Sequence, residues 1–177
     1  MTTENRTDWA WLANTYWYVP PPSLPALQLD PDKNTLSYQI DQTVWHITGY
    51  ENGYLWGVTS VMMYSAGEEA PTRGPRSRPS HLTLLGTLFP SGQVQLTFVP
   101  QGKLGSVTTG LGQMVQRQGA WEFQMQMSTT RQGSQALHWA NMVQTREGDE
   151  SWSQLPGLPY SVPQMLDGIT YPSLAAV

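Results

Sequence analysis

The chain has three histidines, His46, His81 and His138, and no cysteine. Imidazole is the commonest metal ligand, but neither His-X-His nor His-Glu-X-X-His spacing is present, so a metal or haem site needs distant strands to converge. Hydrogen-bonded structural histidines are the plainer reading, and no metal or cofactor is expected. His46 stands apart because it lies between Trp45 and Ile47 in a stretch almost free of charge. If its ring faces inward, it is the acid, base or ligand anchor that the sequence favours. Glu122 is the only acid between Ala70 and Glu147, yet it shares its strand face with Gln124, Gln126 and Ser128, so exposure is expected. No Gly-X-Ser-X-Gly elbow supports a serine nucleophile, because Ser91-Gly92 and Gly105-Ser106 read as turns. Thr109-Gly110-Leu111-Gly112-Gln113 lacks the Lys and the following helix of a phosphate loop. Without cysteine, disulfides, zinc knuckles, thiolate nucleophiles and iron–sulfur ligation are excluded.

The elements that must position these residues are read from composition and period. In 177 residues, 39% are hydrophobic and 12% charged, about half the usual charge, with a net charge of -4. Eight Trp, eight Tyr and eight Met on a nearly neutral chain argue for a packed core rather than disorder, and the length suits one domain, 1–177. An acidic chain with pI near 5.2 lacks the electrostatic footprint of a nucleic-acid binder. The first residues, Met1 to Asp8, have no basic, apolar leader, and no run approaches a membrane span of about 18 apolar residues. The expectation is a cytoplasmic protein with neither nucleic-acid nor membrane partners.

Strand signals dominate. Trp9 to Val19 reads as an aromatic first segment stopped by Pro20-Pro21-Pro22, with a linker from Pro20 to Lys33. Thr35 to Asp41 alternates, with Leu36, Tyr38 and Ile40 on one face, and Thr43 to Tyr50 reads as its neighbour. Glu51-Asn52-Gly53 then turns into Tyr54 to Tyr64. Ser65 to Ser80, with Arg73, Arg76 and Arg78, is a long loop that could attract an anionic group or cover a barrel mouth. His81 to Phe89 and Gln93 to Pro100 form a hairpin, and Val107 to Arg117 carries Gly110 and Gly112, which suit a bend or bulge. Ala120 to Thr129 places Trp121, Phe123, Met125 and Met127 on one face. Ser134 to Gln144 places Leu137, Trp139 and Val143 opposite His138 and Met142. The Pro-rich tail, Ser153 to Val177, has one charge, Asp167, and is expected to lie on the barrel or on a partner, with one helical turn within Ser161 to Leu166.

Eight or nine short strands joined mostly by tight turns predict an all-β, antiparallel up-and-down barrel, with a two-layer sandwich as the alternative. Here the chain resembles the calycin superfamily, the lipocalin, fatty-acid-binding and avidin-like barrels. The strand order matches, and Asn14-Thr15-Tyr16-Trp17-Tyr18-Val19 is similar to the lipocalin first-strand Gly-X-Trp signature, whose Trp closes one barrel end. Asn14 or Thr15 stands where the family has Gly.

About eight strands is the size at which a barrel is either filled by side chains or holds one small ligand, and the sequence leaves both open. The binding reading is a small, largely apolar or aromatic molecule inside the barrel, with Tyr38, His46, Trp56, Trp121, Phe123, Met125, Met127 and Trp139 as its contacts. One alternative is a cofactor-independent cyclase, isomerase or dehydratase acting on such a molecule. Another is a structural or assembly protein using its neutral surface. Few charges and many aromatics on the strands also lead to the expectation of a homodimer.

Overall fold

The computed structural model describes residues 8–75, 77–102, 105–131 and 133–175. Its strands form one antiparallel sheet that closes on itself. β1 (Thr15–Tyr18) and β2 (Pro25–Asp30) both pair with β3 (Thr35–Glu51) on one side and β9 (Ser134–Thr145) on the other. They are the two halves of one broken stave. β4 (Tyr54–Ser65), β5 (Ser80–Leu88), β6 (Gln93–Pro100), β7 (Thr108–Arg117) and β8 (Ala120–Arg131) continue as a meander, and β3 pairs with β4 to shut the barrel. The nine strands therefore make a barrel of eight staves, one of them split in two.

The break follows from the proline run, which removes the amide donors a ladder needs and turns the chain through a short 3-10 segment, Pro21–Ser23. The buried Gln42 side chain bridges the gap. Its Nε2 donates to the carbonyls of Val19 at 3.0 Å and Pro156 at 2.8 Å, while its Oε1 accepts from Val19 N at 3.1 Å. The stretch expected as a linker thus contains β2, because Ala26 to Leu29 find open edges on both β3 and β9. The two strands expected on either side of Gln42 are one, since no turn former separates Asp41 from Thr43.

The middle of the barrel is filled by rings. Trp17 and Phe123 meet edge to face with centroids 4.7 Å apart, Trp45 lies 5.4 Å from Phe123 and 5.6 Å from Phe98, and all four are buried. Trp9, at the head of a 3-10 turn over Ala10–Leu12, closes one end. Its ring packs on Trp121 at 5.0 Å and its Nε1 donates to Phe89 O at 3.1 Å. Met125 and Met127 lie over Gly112 and Gly110, where any Cβ would collide with the methionine sulfurs. These glycines make space rather than a bulge, and β7 keeps unbroken register with β6 and β8 through both.

The outer face of β3 and β4 is also apolar, and the C-terminal tail covers it. Val44, Val58 and Met62 pack against Leu155, Leu158, Val162 and Met165. The tail holds two single turns, α1 (Glu150–Ser153) and α2 (Val162–Met165). α2 is started by a reciprocal Ser161–Gln164 capping box, with Pro163 in its first turn.

Candidate functional site

The residues singled out from the sequence do not share one compartment. Phe123 and Met125 are buried inside, and Trp121 and Met127 are half-buried and packed against the same interior cluster. Tyr38 and Trp139 are 64% and 63% exposed on the outer face, so they cannot line an interior with Phe123. The face reading of β9 is inverted: His138, Ala140 and Met142 point inward, while Leu137 and Trp139 point out. Space decides this, because Ala140 faces Met125 across the β8–β9 ladder, where an indole would not fit. Leu36 and Tyr38 likewise point outward. Trp56 lies on the outer face of β4 with its ring across Gly49, next to the one register shift in the β3–β4 pair.

His46 also faces outward, beneath the tail. Tyr16 stacks on its ring at 3.9 Å, Nδ1 lies 3.1 Å from Tyr171 Oη, and Nε2 lies 3.1 Å from Asn14 Oδ1. The neutral ring satisfies both partners, with Nε2–H donating to Asn14 and Nδ1 accepting from Tyr171. Burial pushes its pKa down to about 4 and pushes those of Tyr16 and Tyr171 up. Asn14 reaches the ring from a left-handed conformation, φ 62°, which Asn tolerates better than most side chains. A base this weak, with both nitrogens engaged, is suited to tying the tail to the barrel wall.

His138 has the opposite character. Its Nδ1 lies 3.1 Å from Asp41 Oδ2 and its Nε2 lies 2.5 Å from Ser23 O, both acceptors, so the doubly protonated ring is the form that fits. Burial acts to lower its pKa, but the Asp41 hydrogen bond and charge, with the Ser23 carbonyl, outweigh it and hold the pKa above its usual value. Thr43 Oγ1 donates to the other Asp41 oxygen at 3.0 Å. This pair crosses the barrel between β3 and β9 and fastens the broken stave between them. Nothing in the spacing of Asp41 and His138 signalled it, since only β2 brings β3 and β9 near each other there.

Two clefts open on the surface. One, about 720 Å³, lies at the end closed by Trp9, between the β3–β4 and β5–β6 turns, and is walled by Tyr50, Tyr54, Leu88, Phe89 and Pro90 with Asp8 at its edge. Burial and the Asp8 charge both raise the pKa of Tyr50, so its hydroxyl stays a neutral donor. The other, about 820 Å³, lies between the segment carrying Arg73 and Arg78 and the C-terminal tail. Arg76 lies outside the described residues. Among the described residues no three His, Asp or Glu side chains gather as metal ligands, and no helix is long and apolar enough to cross a membrane.

No family model matches this chain, nor does any curated protein or solved structure.

Proposed function

We propose that this barrel is a calycin-like binding module for a small, largely apolar or aromatic molecule, and that the molecule is held at the Trp9 end rather than among the packed rings of the middle. The composition of the cleft there carries this reading. Three aromatic side chains, Tyr50, Tyr54 and Phe89, border one concavity whose only charge among the described residues is Asp8, and a mostly apolar pocket with few polar groups is the usual small-molecule site. Trp17, buried at the start of the barrel wall, supports the calycin likeness. Titrating the protein with phenol and with phenethylamine, read by NMR, is expected to shift Tyr54 and Phe89 first. A Tyr54→Ala/Phe89→Ala variant is expected to weaken binding by about tenfold or more. Shifts that begin elsewhere, or binding that survives the double substitution, would overturn the assignment.

A second reading, self-association, is favoured by the outer strip on β2, β3 and β9. Tyr38 pairs across the ladder with Leu27, which pairs with Leu137, and Leu36 and Trp139 extend the strip. Leu36, Tyr38, Leu137 and Trp139 are all more than half exposed. At the β2–β3 turn Lys33 and Asp30 pair at 3.3 Å, and an apolar face of this kind suits two copies meeting face to face. Sedimentation of the chain is expected to show a dimer that Tyr38→Lys/Leu137→Lys turns into a monomer. A wild-type monomer at about 100 μM, well above the Kd of a stable dimer, refutes it.

A further inference from the structure

The second cleft brings together hydrogen-bond donors from the loop and from the tail. Arg73 and Arg78 extend into it from the loop, and among the described residues neither forms an ion pair. On the tail side, Gln164 has already used its Oε1 to accept from Ser161 N, which leaves its Nε2 as a donor. The Tyr160 hydroxyl donates to Ser77 O at 2.6 Å and so pins the loop to the tail. At the strand wall, His81 Nε2 is buried with no hydrogen-bond partner. A ligand in the cleft does not reach that nitrogen, and the His81 ring serves as a neighbouring reporter. Among the described residues the only anionic side chain in the lining is the Asp167 carboxylate, on the tail side.

Two guanidiniums and an amide NH2 around one concavity match a group that presents several acceptor oxygens and negative charge. We propose that this cleft binds the anionic group, carboxylate or phosphate, of a small ligand. Arg73 and Arg78 hold the anion from the loop side, and Gln164 Nε2 completes its coordination. Asp167 faces the remainder of the ligand and favours one that carries a hydroxyl or amine donor. The volume, about 820 Å³, falls in the range of sites for small organic molecules and is larger than a bare ion needs. The site is separate from the aromatic cleft, which shares no residue with it.

NMR titration of the full chain with inorganic phosphate, with acetate and with phenyl phosphate, at fixed ionic strength, tests the assignment through the His81 ring and the guanidinium resonances of Arg73 and Arg78. Saturable shifts centred on these groups are expected, and Arg73→Gln/Arg78→Gln is expected to weaken them by about tenfold. Both arginines are exposed, so this variant keeps its fold, which unchanged Trp45 and Trp17 resonances would verify. Tighter binding of phosphate than acetate assigns the phosphate class, and the reverse assigns the carboxylate class. A response equal to that of chloride, or undiminished in the double variant, overturns the proposal. Neither outcome touches the aromatic cleft, whose own titration reads Tyr54 and Phe89.

Discussion

Replacing His138 with leucine is expected to destabilise the fold by about 3 kcal/mol, because it leaves the largely buried Asp41 carboxylate with the Thr43 hydroxyl but without its charged partner. Asp41→Leu/His138→Leu is expected to recover most of that loss, since a pair removed whole leaves no orphaned charge. The single variant also changes the pH dependence. The folded pKa of His138 lies above its ordinary value of 6.5, so its contribution is complete below pH 6.5 and is lost as pH rises through the raised value. His46 does the reverse. Its folded pKa is about 4, so its neutral ring stabilises fully above pH 6.5 and progressively less as pH falls toward 4. Urea unfolding from pH 4.5 to 9 is expected to show greatest stability near pH 6.5, with an alkaline limb that disappears in His138→Leu. An alkaline limb unchanged by that substitution would show that the Asp41–His138 pair is not its source.

Phe123→Ala is expected to cost about 3–5 kcal/mol and to give the barrel a hole that binds benzene. Phe123 touches both Trp17 and Trp45, so its removal strips contacts from the two rings that fill the centre. The wild-type chain, with its middle already occupied, is expected to take up no benzene there. The measurements are denaturant unfolding and ligand-detected NMR. A loss below about 1 kcal/mol, or benzene bound equally inside the wild type, would mean that the centre is loosely packed and that the interior ligand reading should return.

The strands were legible because each carries its own signal. The alternation over Trp121 to Met127 selects a face without reference to any neighbour, and Asn52-Gly53, both at positive φ, marks its turn directly. The stripe over Leu36 and Tyr38 alternates just as clearly, yet it faces out. Alternation reports two unlike faces, and only the neighbours decide which face is interior. Around Gln42 both faces of β3 are covered, by rings within and by the tail without, so the pattern there carries no preference. The aromatic cleft was invisible for a related reason. Tyr50, Tyr54 and Phe89 lie in two different hairpins, and no spacing within either one announces that their turns are adjacent.

The sequence by itself determined an antiparallel meander, its main turns, a break at the proline run and a single helical turn near Pro163. Those features are set by backbone conformation and hydrogen-bonding capacity within a few residues. Tertiary structure alone decided that β2 completes the broken stave, that Asp41 meets His138, that His46 turns outward to Tyr171, and that rings fill the centre. Each of these depends on closure, which brings together positions far apart in the chain. Which side chains then share a dry space is fixed by the volume between the walls, a quantity no local segment contains.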